Sequence, residues 1–127
     1  MAKVYMAALF QRREELEKLA PLLELAGHQN NARWVAGMED GLEREEISDL
    51  DLQDVKECDI LMSFTHPRGT PTPGGGRHVE FGYALALEKR MVLIGPRENV
   101  FHHDHRVEQY DHIMAFINIE IGRAKYV

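Results

Sequence analysis

The amino-acid sequence predicts an α/β fold built around a mainly parallel sheet. Short apolar runs typical of buried strands alternate with stretches of helical periodicity, which is the pattern of βαβ units with right-handed crossovers. The chain has 127 residues, of which 44% are hydrophobic, enough for one core but too few for two comfortable domains. We therefore expect residues 1–127 to form a single domain with helices on both faces of the sheet.

Four apolar or partly apolar runs predict strands of this sheet. Three of them are almost uninterrupted, as expected of strands that are buried on both faces, whereas the second along the chain is weaker. The four predicted strands are KVYMAAL at 3–9, QNNARWV at 29–35, ILMSF at 60–64 and MVLIG at 91–95.

Helices are predicted in the intervals between and after the strands. In the first, leucine and alanine recur at helical spacing, Gly27 stands at the C-cap position, and Pro21 predicts a kink or a break. A Pro- and Gly-rich loop at 65–76 precedes the third helix, and a polar connection precedes the last. The predicted helices are RREELEKLAPLLELAGH, EREEISDLDLQDVKECD, the stretch that follows residue 76, and YDHIMAFINIEIGRA.

Charge, cysteine content and hydropathy exclude several classes of function. The net charge of −6 and the isoelectric point of about 5.6 argue against a nucleic-acid polymer as partner, because no basic stripe is available. Cys58 is the only cysteine, so no disulfide can form within the chain. The N-terminus becomes charged too early for a signal peptide, and no apolar run approaches the roughly 20 residues of a membrane span. We expect a soluble, cytoplasmic protein that does not bind membranes.

Glu80 is the first candidate functional residue. It lies in GGGRHVEFGYALA (74–86), and the sequence places it in the first turn of a helix that three glycines open. Acidic residues are favoured there simply because of the helix dipole. In parallel sheets, however, ligands bind beyond the carboxyl ends of the strands. The loop at 65–76 begins at the carboxyl end of the predicted strand 60–64, so Glu80 is also expected at the rim of a ligand-binding crevice.

Asp51 is the second candidate, because it interrupts an apolar helix face that includes Ile47, Leu50 and Val55. One interpretation is that the helix begins at Ser48 and that Asp51 belongs to a capping arrangement. The other is a functional carboxyl group in a pocket of low polarity, with its pKa raised so that it can donate or share a proton.

Tyr5 is the third candidate, because a phenol within a buried strand needs a hydrogen-bond partner. A carboxylate would serve, although a tyrosine in a strand is also a common core residue. A parallel sheet can bring Tyr5, Asp51 and Glu80 into one crevice. Enzymes that cleave glycosidic bonds usually use two carboxyl groups in different environments.

Three blocks of the sequence resemble the nucleoside 2-deoxyribosyltransferase family, which includes hydrolases of 2′-deoxynucleoside 5′-monophosphates and related N-glycosidases. The similarity extends over most of residues 3–95, and VEFGYALA is its most specific part. The blocks are KVYMAALF, DLQDVKECDILMSF and GGGRHVEFGYALALEKRMVLI. The resemblance implies a flavodoxin-like (Rossmann-like) sheet of five parallel strands and an enzyme that acts on a small nucleoside or nucleotide.

The resemblance also implies a role for each of the three candidate residues. Glu80 matches the nucleophile that takes the sugar from its base as a covalent glycosyl intermediate. Asp51 matches an aspartate associated with proton transfer at the base and with the sugar, and Tyr5 matches a tyrosine that hydrogen-bonds the nucleophile. Because the nucleophile must be ionised, we expect the helix N-terminus to lower the pKa of Glu80.

The sequence departs from the family where base and phosphate are recognised. Gly74 stands where the transferases have a base-binding aspartate and the monophosphate hydrolases a serine. This change weakens the case for a tightly held acceptor base, so hydrolysis is favoured over transfer. The phosphate loop after the first strand is replaced by AALFQRR, which leaves Arg12, Arg13, Arg77 and His78 as alternative phosphate-binding residues.

Several further residues are expected to contact the substrate. Phe10 and Trp34 are candidate stacking surfaces for a base, or else core residues. The small size of Gly74, Gly75 and Gly76 would let the sugar approach the backbone, and Ala8 is a further candidate. The full set of candidate substrate-binding residues is Ala8, Phe10, Trp34, Gly74, Gly76, Arg77 and His78.

We expect neither a metal nor a cofactor. The histidine cluster HHDH at 102–105 lacks the spacing of a known ligand set. A non-catalytic nucleotide sensor and an inactive structural subunit remain alternatives, because fold alone does not fix function. The three polar candidates argue against both, since each is costly on an apolar element.

A homodimer or larger homo-oligomer is also expected, because the family completes its sites at subunit contacts. In the last helix Met114, Ile117 and Ile121 recur on one face, and Ile119 adds an apolar residue toward another side. Such a surface would need a partner unless it packs within the monomer.

Overall fold

Five parallel strands form one sheet, in the order β2-β1-β3-β4-β5. The computed structural model describes residues 1–67, 69–71 and 74–125. Tyr5 of β1 is in register with Leu61 of β3, which is in register with Met91 of β4. The strands are β1 (Ala2–Ala7), β2 (His28–Asn30), β3 (Ile60–Phe64), β4 (Arg90–Ile94) and β5 (Val107–Tyr110). The predicted α/β class and the five-stranded parallel sheet are confirmed.

Helices cover both faces of this sheet. All residues of β3 are buried, and since successive side chains of a strand point to opposite faces, both faces must be covered. α2 packs against α3, whereas α4 packs against the 3₁₀ segment Ala20–Ala26. The helices are α1 (Arg13–Leu19), α2 (Arg44–Glu57), α3 (Gly76–Ala86) and α4 (Ile113–Lys125), with 3₁₀ turns at Phe10–Arg12, Ala20–Ala26 and Val100–His103.

The first helical segment breaks where Pro21 predicts a break. α1 ends at Leu19 and the chain continues as the 3₁₀ helix, with proline in its first turn. Gly27 closes this helix in the left-handed conformation (φ 76°) and donates its N–H to the carbonyl of Glu24. Glycine adopts such a φ without the steric penalty of other residues.

The prediction of a strand at 29–35 is wrong beyond residue 30, because local hydrogen bonds turn the chain out of the sheet. The side-chain oxygen of Asn30 accepts from the N–H of Ala32 at 2.9 Å, an arrangement that favours a turn. Trp34 then packs into the core, where its Nε1 donates to the carbonyl of Met6 at 3.0 Å.

The strand β5 was not identified from the sequence pattern, and the last helix begins at Ile113 rather than at residue 110. All four β5 residues are half-buried, so the strand gives no apolar run. Its Glu108 instead forms an ion pair with Arg90 of β4, Nε to Oε2 2.7 Å, which pairs the two strands through polar groups.

The start of α2 decides between the two interpretations of Asp51. The helix begins at Arg44, and Glu43 and Glu46 form a reciprocal capping box. Asp51 therefore lies in the middle of the helix, and the interpretation that the helix begins at Ser48 is wrong.

The apolar face of α4 packs within this chain. Ile117 is fully buried, and Met114 and Ile121 are partly buried against the core. Among the large apolar side chains described in α4, only Ile119, 46% exposed, faces solvent, so this face does not require a partner. In the parts of the chain that the structure describes, no helix combines the length and the apolar character needed to cross a membrane.

Candidate active site

A cavity of about 660 Å³ opens beyond the carboxyl end of β1, on the side of the sheet where ligands bind in such folds. Its wall contains four acidic residues, from α2, α3 and the loop before α2. The lining residues are Ala8, Leu9, Phe10, Gln11, Trp34, Glu39, Asp40, Gly41, Leu42, Ile47, Asp51, Gly74, Gly75, Gly76, Arg77 and Glu80.

Tyr5 and Glu80 contact each other directly at this cavity. Tyr5 is fully buried in β1, and its hydroxyl donates a hydrogen bond to Oε2 of Glu80. Burial raises the pKa of Tyr5 above its ordinary value, and the neighbouring carboxyl groups of Glu80 and Asp51 raise it further. The phenol thus remains protonated and acts as a fixed donor to the carboxylate.

The expectation that the helix N-terminus lowers the pKa of Glu80 is wrong. α3 begins at Gly76, and the unpaired N–H groups of a helix lie in its first turn. Glu80 lies beyond that turn. Burial raises the pKa of Glu80 to about 8, partly offset by the hydrogen bond from Tyr5, while Asp51 raises it further. This position also removes the interpretation of Glu80 as a simple first-turn charge.

Asp51 faces the same cavity and forms a pair with Glu39, a residue that sequence reasoning missed. Glu39 lies in the loop between β2 and α2, and the two carboxyl groups can form a hydrogen bond when one of them is protonated. Burial, followed by this hydrogen bond, raises the pKa of Glu39 to about 8. Burial also raises the pKa of Asp51, although the hydrogen bond from Glu39 acts in the opposite direction. The predicted upward shift of the Asp51 pKa is confirmed.

The glycines before α3 leave open space beside the cavity. Gly74 has a left-handed backbone (φ 77°), which favours glycine at this position. A Cβ atom added at Gly74, Gly75 or Gly76 would meet no atom within 4 Å. The backbone here is therefore accessible to a ligand, as expected for Gly74 and Gly76.

The aromatic candidates form one edge of the cavity. Trp34 is held by its hydrogen bond to Met6, and the ring of Phe10 lies 6.4 Å from it, tilted by 35°. Phe10 is 68% exposed, which leaves its ring free to contact a ligand. Ala8 lies on the cavity wall as expected.

Of the four alternative phosphate-binding residues, only Arg77 lines the cavity. Its guanidinium forms a bidentate pair with Glu98, 2.6 Å for each hydrogen bond. Arg12 bonds Glu15 and the carbonyl of Thr65, and Arg13 bonds Glu17 and the carbonyl of Val35.

The assignment of His78 to the substrate site is wrong. Its Nδ1 hydrogen-bonds Nδ2 of Asn99 at 3.5 Å, and its ring lies 6.0 Å from that of His102. These contacts turn the side chain to the opposite side of α3 from Glu80, away from the residues that line the cavity.

The histidine cluster at 102–105 is engaged in local contacts. Nδ1 of the buried His102 accepts from the N–H of Glu98, and Asp104 pairs with Arg106. Across residues 1–67, 69–71 and 74–125, no three His, Cys, Asp or Glu side chains are arranged to hold a metal ion.

The residues missed from the sequence lie mostly in loops. They include Glu39 and Asp40, which stand between two glycines in the loop at 37–41. Two acids in a loop that follows a strand of a parallel sheet are a usable signal, because the carboxyl ends of strands carry ligand sites. The other missed lining residues are Leu9, Gln11, Gly41, Leu42 and Ile47.

Comparison with known proteins identifies the fold. No protein-family model matches the sequence, and no curated protein does. The chain is similar to the structure of a CMP N-glycosidase from Clostridium botulinum, with 21% identity, a TM-score of 0.64, and coverage of 92% of this chain and 96% of that one. It is also similar to a 2-deoxyribosyltransferase from Leishmania mexicana, with 16% identity, a TM-score of 0.60, and coverage of 87% and 75%. Both proteins are of the family that the sequence resembles.

Proposed function

Since the chain has the fold of the nucleoside 2-deoxyribosyltransferase family, we propose that it cleaves the N-glycosidic bond of a nucleoside or nucleoside 5′-monophosphate. We further propose a covalent glycosyl intermediate on Glu80, with water as the favoured acceptor. The observation that carries this proposal is the Tyr5–Glu80 hydrogen bond beside a cavity that also contains Asp51.

The first step is attack by the ionised carboxylate of Glu80 on the anomeric carbon. The bond from that carbon to Glu80 forms while the bond to the base nitrogen breaks, and the electron pair leaves with the base. A pKa of about 8 leaves roughly a tenth of the Glu80 side chains ionised at pH 7. The hydrogen bond from Tyr5 favours that ionised form and orients it.

Asp51 is proposed to donate a proton to the leaving base and to accept a proton in the second step. Protonation makes a nucleobase a better leaving group, and a carboxyl group with a raised pKa retains a proton that it can donate. In the second step the same group would accept a proton from the water that attacks the anomeric carbon, which releases the sugar from Glu80.

Hydrolysis is favoured because Gly74 places no side chain where a transferase would grip an acceptor base. Transfer is the second candidate, supported by the similarity to the Leishmania mexicana transferase. The Clostridium botulinum relative is a CMP N-glycosidase, and CMP contains ribose. The test therefore includes both ribose and 2-deoxyribose substrates.

Recognition of a 5′-phosphate is proposed to depend on Arg77. It is the one cationic side chain on the cavity wall within the described residues, and Glu98 already pairs with it. A phosphate would have to share this guanidinium with Glu98. Nucleosides and their 5′-monophosphates are thus to be compared directly.

The test is incubation with a panel of nucleosides and 5′-monophosphates, with and without a free acceptor base, followed by chromatography. Release of free base in water is expected. Base exchange much faster than release would identify a transferase. Binding without release of any base would identify a nucleotide sensor and contradict the proposal.

We also propose that the active form is a homodimer or larger homo-oligomer. The open cavity supports an oligomer, because a site that excludes water poorly is completed when a second subunit covers it. α4 gives no support for an interface, since its apolar face is buried within the chain. Light scattering at micromolar concentration, run beside the activity assay, tests the proposal, and a fully active monomer would refute it.

A further inference from the structure

Glu39 has the smallest exposed fraction of the four acids on the cavity wall. It is 8% exposed, whereas Asp51 and Glu80 are half-buried and Asp40 is exposed. It lies in a loop, where an acidic side chain can normally reach water at no cost. A buried acid in such a place needs a partner that compensates for the loss of water.

Within the described residues, Asp51 can be that partner for Glu39 only if the two carboxyl groups share a proton. Oε2 of Glu39 and Oδ1 of Asp51 are both buried, and no donor in the described part of the chain reaches either atom. Both residues line the same cavity, and a hydrogen bond between the two carboxyl groups requires that one of them is protonated. Two neighbouring ionised carboxylates would repel each other, whereas one shared proton satisfies both.

Burial, together with the neighbouring acidic groups, keeps this proton in place at neutral pH. Glu80 and Tyr5 face Glu39 from α3 and β1, and Asp54 faces it from α2. Asp54 is neutralised by Arg33 at 2.8 Å. Arg33 also favours the ionised form of Asp51, but burial outweighs it and raises the Asp51 pKa. Loss of the shared proton would therefore add a second negative charge to the pair, beside Glu80.

We propose that Glu39 and Asp51 act as one acid pair, and that the proton held by Glu39 is the one delivered to the departing nucleobase. This inference rests on the proposed function of the cavity. As the bond between the anomeric carbon and the base nitrogen breaks, its electron pair stays with the base, and the proton of the pair forms a new N–H bond there. The water that attacks the glycosyl–Glu80 bond then returns one proton to the pair and one hydroxyl to the sugar.

The first experiment measures the shared proton without any substrate. With ¹³C-labelled carboxyl groups, NMR titration of the whole protein should show a side chain that titrates near pH 8 and disappears in Glu39→Gln. A Glu39 carboxyl that titrates in the ordinary range of glutamate, about 4.3, would overturn the proposal. This measurement stands even if no nucleoside is cleaved, so it separates failure of the acid pair from failure of the proposed function.

The second experiment compares leaving groups. Glu39→Gln keeps the size of the side chain and a donor to Asp51, but it has no acidic proton. We expect kcat/KM to fall by about 100-fold or more on a nucleoside from the panel, and by less than about threefold on 4-nitrophenyl 2-deoxyriboside, whose leaving group needs no proton. Equal losses on both substrates would indicate a structural role and contradict the proposal, as would an unchanged rate on the nucleoside.

Glu24→Gln is the matched control. Glu24 is exposed and lies outside the cavity wall, and the substitution makes the same chemical change. Both rates should stay within about twofold of the wild type. A loss in the control as large as that in Glu39→Gln would show that removal of any acidic charge explains the effect, which would also overturn the proposal.

Discussion

The hydroxyl of Tyr5 in β1 and the carboxylate of Glu80 in α3 are joined by a hydrogen bond across 75 residues of sequence. The sheet places the tyrosine and the helix places the acid, so the contact exists only in the folded chain. Burial works against ionisation of Glu80, and the tyrosine works for it. The phenol therefore helps to set the fraction of enzyme that carries a nucleophile.

Removing the hydroxyl with Tyr5→Phe should move the acidic limb of the pH–rate profile. Without its donor the carboxylate of Glu80 is less stable, so the pKa that governs the rise of kcat/KM should increase above its starting value of about 8. A rise of about one unit would reduce kcat/KM at pH 7 roughly tenfold, with recovery above pH 9. An acidic limb that stays in place would show that Tyr5 does not control this ionisation.

Replacing Glu80 by glutamine should abolish activity and also change how stability depends on pH. The pKa of Glu80 is raised from 4.5 to about 8 in the folded chain, so the folded state retains a proton that the unfolded state loses between these values. The contribution of Glu80 to stability is therefore fully present below pH 4.5 and is lost as pH rises to about 8. Relative to Glu80→Gln, the wild type should lose up to about 1.4 kcal/mol per pH unit in that window.

Urea unfolding of both proteins at pH 5, 6.5 and 8 measures this difference. Two curves that run parallel over this range would mean that Glu80 is ionised at its ordinary pKa, and the assignment of burial as the dominant influence would fail.

Replacing Asp51 by asparagine should reduce activity strongly with little change in stability. General acid catalysis contributes about 10²- to 10⁴-fold, whereas asparagine can still accept the hydrogen bond from Glu39 and avoids the cost of a buried charge. The control is Asp49→Asn, an exposed acid on the same helix. Rates and thermal unfolding of the two variants provide the comparison, and an Asp51→Asn enzyme of normal rate would exclude a catalytic role for Asp51.

Breaking the Arg77–Glu98 pair should destabilise the protein. The side chain of Arg77 is almost fully buried, and each of its two hydrogen bonds to Glu98 is 2.6 Å long. Glu98→Gln would leave a buried guanidinium without its counter-charge, at a cost of about 3 kcal/mol. Glu17→Gln, which breaks the exposed Arg13–Glu17 pair, should cost less than about 0.5 kcal/mol. Equal effects in urea unfolding would contradict this account.

The central strands could be predicted from sequence because their signal is local. β1, β3 and β4 are buried apolar runs, and Pro21 and Gly27 impose their effects within one turn. The missed strand β5 contains Glu108, whose partner Arg90 lies on the neighbouring strand. Pairing of this kind depends on tertiary contact, and no local periodicity indicates it.

The candidate site, too, could be predicted only where its residues have a local sequence signal. Asp51 was identifiable because it interrupts an apolar face, but its partner Glu39 lies in a loop without periodicity. The environment of Glu80 could not be predicted locally either, since burial, which depends on residues distant in sequence, is the main influence on its pKa. His78 has the right residue type for binding a phosphate, yet helix rotation places it against Asn99.

The most direct test of the account is to trap the intermediate on Glu80. A 2-fluoro-2-deoxy analogue of a cleaved nucleoside slows both formation and breakdown of the glycosyl–enzyme bond, because fluorine destabilises the oxocarbenium-like transition state. Mass spectrometry of the digested protein should show the fluorosugar on the peptide that contains Glu80, and no adduct in Glu80→Gln. An adduct on another residue, or normal turnover by Glu80→Gln, would contradict the account.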